Sequence, residues 1–193
     1  TNSYYAKLLA VKSVTKNKGK RTAGIDGAKW ITPNSRMNAA LNYEKVYDRY
    51  HSDVAVCVNN IGLVLRALGD LYGAKECFER ALAIDEKSCG RDHPAVGRDV
   101  NNIGLVMQDL VDLYGAKECF ERALDTGEAV YGRDHPGVSI RVNNLGRILQ
   151  ALENLPAAKK CFERALEIFQ RFLGEDHFLT AKARNNLKSL ADV

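Results

Sequence analysis

The sequence predicts an all-α fold, a solenoid of helix-turn-helix repeats preceded by a short helical and loop extension. Three observations carry that expectation. The pair Asn-Asn stands at Asn59-Asn60, Asn101-Asn102, Asn143-Asn144 and Asn185-Asn186, each 42 residues after the last. The segment AKECFERAL at Ala74 to Leu82 returns at Ala116 to Leu124 and, as AKKCFERAL, at Ala158 to Leu166. Within one unit Val58, Ile61, Leu65 and Leu68, then Ala74, Cys77, Phe78, Ala81 and Leu82, fall at the three- and four-residue spacing of two amphipathic helices. A fixed period of this size marks a supersecondary unit that cannot bury its apolar side alone and stacks on its copies.

The bulk composition fits such an array. The chain has 193 residues, 46% hydrophobic and 27% charged, which is ordinary globular composition. It holds no apolar run of about eighteen residues and no basic start leading into an apolar stretch, so neither a spanning helix nor a secretory signal is expected. The chain starts at Thr1 rather than methionine, as a fragment or processed product would. Cys77, Cys119 and Cys161 share one repeat position. Copies in a stacked array lie roughly 10 Å apart, whereas a disulfide needs Cα atoms within about 7 Å. These thiols are therefore expected as small buried side chains in a reducing cytoplasm, with no metal and no cofactor.

The first element, residues 1–36, shares no period with the rest. It starts with a short amphipathic stretch around Tyr4 to Val14 and continues into NKGKRTAGIDG, Asn17 to Gly27. Eight Lys or Arg against Asp26 alone give this segment +7 within a chain of net charge +4, leaving −3 for the remainder. Lys16, Lys18, Lys20 and Arg21 are its candidate nucleic-acid contacts, and its glycines would let backbone approach a phosphate chain. Asn17, Lys18, Gly19, Thr22, Gly24, Ile25, Asp26, Gly27, Thr32 and Pro33 together resemble the N-terminal region of group II intron reverse transcriptases, or maturases. That resemblance implies a part that helps to hold RNA. It does not extend to polymerase chemistry, because the Tyr-x-Asp-Asp motif is absent and Asp26 alone cannot support two metals. The alternative is a vestigial arm.

The array follows as a partial repeat over 37–53, full repeats over 54–95, 96–137 and 138–177, and a terminal helix over 178–193. In each full repeat a short break separates two helices. Gly69 is expected to end the first, and Asp70, with its counterparts Asp112 and Asn154, to cap the second. Pro156 stands where Tyr72 and Tyr114 stand, a position that a helix start tolerates. Gly62, Gly104 and Gly146 lie inside first helices, where glycine costs about 1 kcal/mol against alanine. Their expected partners are Ala74, Ala116 and Ala158, with Phe78, Phe120 and Phe162 filling the space towards the next unit. The last helix, from Phe178, is expected either as a solvating cap or as a truncated array, with Lys188 replacing the glycine.

Glycine, alanine, phenylalanine and alanine at these offsets resemble the tetratricopeptide repeat, whose usual unit is about 34 residues. The extra length, AIDEKSCGRDHP at Ala83 to Pro94, is similar to the long-form repeats of kinesin light chains. HEAT and armadillo units also reach forty-odd residues but lack this spacing. The resemblance implies a right-handed solenoid without catalysis, whose first helices line a concave groove.

Asp92-His93-Pro94 and Asp134-His135-Pro136 are expected to be helix starts, with Asp as cap and Pro as opener, rather than catalytic dyads. Asparagine is a mediocre helix former, so eight of them in mid-helix call for a reason. The resemblance puts Asn59, Asn101, Asn143 and Asn185 on the groove, joined on the same face by Arg66, Arg98, Gln108, Arg147, Gln150 and Lys182. The second Asn of each pair is expected to bond the neighbouring unit and fix repeat geometry. Two readings of the pairs stand side by side: recognition by the first Asn, or duplication of a purely structural amide. The expected partner is a protein or peptide, acidic or extended. RNA binding through the basic segment and self-association through the C-terminal end are the alternatives.

Overall fold

The computed structural model describes residues 52–190. The basic segment, nearly all of the partial repeat 37–53 and residues 191–193 lie outside it. Among the described residues every regular element is helical, and the chain divides into two compact units. The first, ending at Arg91, contains α1 (Ser52–Ala67) and α2 (Leu71–Cys89). The second, from Asp92 onward, contains α3 (Pro94–Asp109), α4 (Leu113–Tyr131), α5 (Pro136–Ala151), α6 (Leu155–Leu173) and α7 (Phe178–Ser189). In the second unit α3 packs on α4, α4 on α5, α5 on α6 and α6 on α7.

Local chemistry starts and stops each helix. The carboxylates of Asp70 and Asp112 accept the amides of Gly73 and Gly115, each at 3.0 Å, and the Asn154 amide oxygen accepts from Ala157 at 3.3 Å. This satisfies amides that the first turn leaves open. α1 ends in a Schellman motif: Asp70 N donates to Leu65 O and Gly69 N to Arg66 O, with Gly69 at φ 83°. α3 and α5 end in the same way, but the left-handed residue there is Val111 at φ 64° and Glu153 at φ 61°.

The starts of α3, α5 and α7 correct one expectation. The capping side chain is histidine, not the preceding aspartate. His93, His135 and His177 accept the amides of Ala95, Gly137 and Leu179 on Nδ1 at 3.2, 3.0 and 3.2 Å. An imidazole nitrogen does the work of a cap oxygen, so α7 starts in the same way with Phe178 in place of proline.

A second correction concerns the mid-helix glycines. Their partner is the phenylalanine of the following helix, not the alanine. A Cβ added at Gly62 would lie 2.7 Å from Phe78, at Gly104 2.9 Å from Phe120, and at Gly146 2.7 Å from Phe162. The rings are fully buried, and each fully buried ring contributes roughly 1.5–3 kcal/mol. In the second unit one apolar cluster joins Ala116, Phe120, Leu145, Ile148, Leu149, Ala158 and Phe162, so Phe120 is also part of the core shared with the following repeat. A further cluster joins Val138, Val142, Ala165, Phe169 and Ala183. In the first unit Val54, Ala55, Val58, Ala81 and Ile84 form the core.

Candidate functional site

The asparagine pairs lie in the middle of the first helices, where the 3.6-residue period turns the two members of a pair onto different sides. In the second unit the second member reaches back to the preceding repeat. Asn144 Nδ2 donates to Asn101 Oδ1 at 3.2 Å, and Asn186 Nδ2 donates to Asn143 Oδ1 at 3.0 Å. Gln150 Nε2 continues the seam to Ser189 Oγ at 3.2 Å. α3, α5 and α7 are thus tied side by side through amides.

That row sorts the expected site residues. Asn143 is buried at 6% exposure, Asn101 is half-buried and Asn185 is exposed. The nitrogens of Asn101 and Asn143 make no bond to described residues, yet they are not sealed from solvent. Arg98 is engaged sideways, with its Nε and Nη2 both 2.9 Å from Oδ1 of the fully buried Asp99. Half-buried Arg147 and exposed Lys182 have no carboxylate partner among the described residues, and Gln108 is half-buried. Asn59, 2% exposed, and half-buried Arg66 belong to α1 of the first unit. Lys16, Lys18, Lys20 and Arg21 lie outside the described residues.

Charge is segregated along the second unit. α5 (PGVSIRVNNLGRILQA) and α7 (FLTAKARNNLKS) carry arginines and lysines and no carboxylate. α3 carries Asp99 and Asp109, and acids on the second helices and in loops help to hold neighbouring repeats together. Glu128 of α4 receives Arg164 of α6 at 2.6 Å, and the other guanidinium arm of Arg164 donates to Arg133 O at 2.8 Å. Glu175 pairs with Arg184.

Sequence reasoning did not single out Arg141. Its Nη1 donates to Gly137 O at 2.9 Å, its Nε is buried without a partner among the described residues, and Gly97 and Gly127 flank the guanidinium. Burial lowers the Arg141 pKa from its ordinary value, with Tyr131 opposing the shift. The signal was present as a break in the repeat, because Cys57, Asp99 and Ala183 occupy the equivalent positions. The five cysteines are free thiols, Cys89 exposed and the others half-buried rather than fully buried as expected. Burial pushes Cys57 and Cys161 up from the ordinary thiol range. No helix among the described residues is long and apolar enough to cross a membrane.

These features define an all-α scaffold of helix-turn-helix repeats. The chain belongs to the tetratricopeptide repeat family, a scaffold for protein interaction: two models of that repeat match residues 53–110 and 138–192, and residues 100–137. Residues 1–43 match the N-terminal domain of reverse transcriptase, a part without the catalytic domain. Among curated proteins no sequence relative is found. Among solved structures the chain is similar to BtubC (BKLC) from P. vanneervenii, with 20% identity and TM-score 0.72, over 82% of this chain and 63% of that one. It is also similar to a Podosopora anserina putative kinesin light chain with nearly identical TPR-like repeats, at 15% identity and TM-score 0.69, over 100% of this chain and 87% of that one. A third is the first TPR of Spaghetti bound to the HSP90 peptide SRMEEVD, at 18% identity and TM-score 0.56, over 76% and 97% of the two chains. At these identities the likeness establishes the fold.

Proposed function

We propose that the second unit is a non-catalytic receptor for an extended, acidic protein segment, held along the row formed by α3, α5 and α7. The observation that carries this reading is the charge of α5 and α7, which have no carboxylate, together with Arg147 and Lys182, which lack an acidic partner among the described residues. Cationic side chains beside open amide donors favour carboxylates and backbone carbonyls, and the same arrangement disfavours a basic segment. Asn101, Asn143 and Asn185 supply the amides, Arg147 and Lys182 the charge, and Gln108 and Gln150 flank them. Arg98 contributes less, because Asp99 already holds its guanidinium. Asn59 and Arg66 hold the equivalent repeat positions in the first unit. The acidic peptide carried by the third structural relative, SRMEEVD, is consistent with this chemistry. Free thiols at every cysteine suit a reducing compartment such as the cytoplasm.

The test is titration of the full chain with a fluorescent blocked peptide of alternating glycine and glutamate. Charge reversal at Arg147→Glu with Lys182→Glu is expected to weaken binding at least about tenfold, a change of roughly 1.4 kcal/mol or more. Equal affinity in wild type and the double variant, or no binding at all, would sink the reading.

A second reading has its own support. The match of residues 1–43 to a reverse transcriptase N-terminal domain and the +7 charge of residues 1–36 point to a nucleic-acid-binding arm through Lys16, Lys18, Lys20 and Arg21. Binding of single-stranded RNA by the full chain should fall steeply as salt is raised and be lost when the four residues are changed to alanine. RNA affinity unchanged in that variant would remove the arm from consideration.

A further inference from the structure

We infer that Asn144 and Asn186 are positioning residues that fix the orientation of the amides on the receptor row, so that Asn101 and Asn143 present only N–H donors. This rests on the groove reading above. A side-chain amide has one accepting oxygen and one donating nitrogen, and rotation by half a turn exchanges them. In a helix array nothing in the residue type chooses between the two.

The neighbour chooses here. Asn144 Nδ2 occupies the oxygen of Asn101, and one repeat later Asn186 Nδ2 occupies the oxygen of Asn143, in the same sense. Turning Asn101 over would set its nitrogen against that of Asn144, two donors facing each other, and would lose the bond. A concerted turn of both amides would restore a bond of the opposite sense, so it is the direction of the two bonds that turns the oxygens towards the seam. The nitrogens, each with hydrogens to give, remain without a partner among the described residues and in reach of solvent. Arg147 and Lys182 also can only donate. The row thus reads for acceptors along its length, by charge at two positions and by amide polarity at two others. A glutamate segment satisfies all of these donors. A glutamine segment matches the shape but carries donors of its own and no charge.

Two experiments test this. Proton exchange of the assigned side-chain NH2 groups, measured by NMR on the full chain without ligand, should show one slowed proton in each of Asn144 and Asn186. Both protons of Asn101 and Asn143 should exchange freely. The reverse pattern overturns the proposal, whether or not any peptide binds. Asn144→Ala, with helix content checked by circular dichroism, should then lower the preference for the glycine-glutamate peptide over its glycine-glutamine counterpart by about three- to tenfold. A simple loss of packing would weaken both peptides alike and leave that preference in place. Binding with an unchanged preference overturns the positioning role, whereas failure of the wild type to bind either peptide overturns the groove reading instead.

Discussion

At the scale of single residues, the turn positions carry the clearest local conflict. Three Schellman motifs require a left-handed residue, and glycine fills only the first. Val111 is β-branched and exposed at φ 64°, where an L side chain costs about 1–2 kcal/mol. Val111→Gly is expected to stabilise the fold by about 0.5–1 kcal/mol, once the greater freedom of unfolded glycine is subtracted. The urea midpoint measures it. The helix starts offer a paired comparison. His135→Ala removes the Nδ1 acceptor of Gly137 and should cost about 1 kcal/mol. Asp134→Ala removes only an exposed contact with Arg171 at 3.9 Å and should cost nearly nothing. The Cys161 thiol gives a pH signature. Burial raises its pKa, Arg164 opposes this and Glu121 adds to it, so the unfolded thiol ionises from 9.0 while the folded one holds its proton to higher pH. Its contribution to stability is fully present below pH 9.0 and is lost as pH rises towards the folded value. Cys161→Ala should flatten the alkaline decline of the urea midpoint.

Between helices, the contact of glycine with phenylalanine decides how closely the two helices of a repeat approach. Gly104→Ala would place a methyl group 2.9 Å from the Phe120 ring, with Cys119 Cβ at 3.1 Å, so α3 and α4 would have to part. In a close-packed interior such overpacking costs about 1–3 kcal/mol. The alanine variant should therefore be less stable despite its better helix propensity, as thermal unfolding would show. At the equivalent position in α7 stands exposed Lys188. A lysine there could not admit a phenylalanine ring as closely as the glycines do.

Across the molecule, two kinds of sequence meet in one chain. Residues 1–36 hold +7 and the remainder −3, and within the second unit the two helices that carry cations and no carboxylate, α5 and α7, are both first helices. A solenoid makes such segregation possible because the helices of one kind lie side by side. The same architecture grades local stability. In the second unit α4, α5 and α6 are each packed by helices on two sides, while α7 packs on α6 and is joined to α5 by the Asn186–Asn143 and Gln150–Ser189 bonds. Amide exchange should be slowest in α4, α5 and α6 and fastest in α7. Equal protection through α7 would contradict this packing.

The 42-residue period, the helix pairs, the caps at Asp70, Asp112 and Asn154 and the mid-helix glycines were all legible in the chain, because each depends on short-range spacing or on a residue's own conformational preference. What those residues touch was not. Alanine and phenylalanine both lie within reach of the glycine on a helical wheel, and only the packed distance assigns the contact to the ring. Asp and His both precede the helix start, and only backbone geometry assigns the cap to the imidazole. The sequence by itself determined the repeat, its helices and the family. Tertiary structure decided that the Asn101 and Asn143 oxygens face the next repeat, that Arg98 belongs to Asp99, and that Arg147 and Lys182 stand without a carboxylate among the described residues. The physical reason is that amide orientation and charge pairing are settled by neighbours a whole repeat away or by the packing around them, which local spacing does not encode.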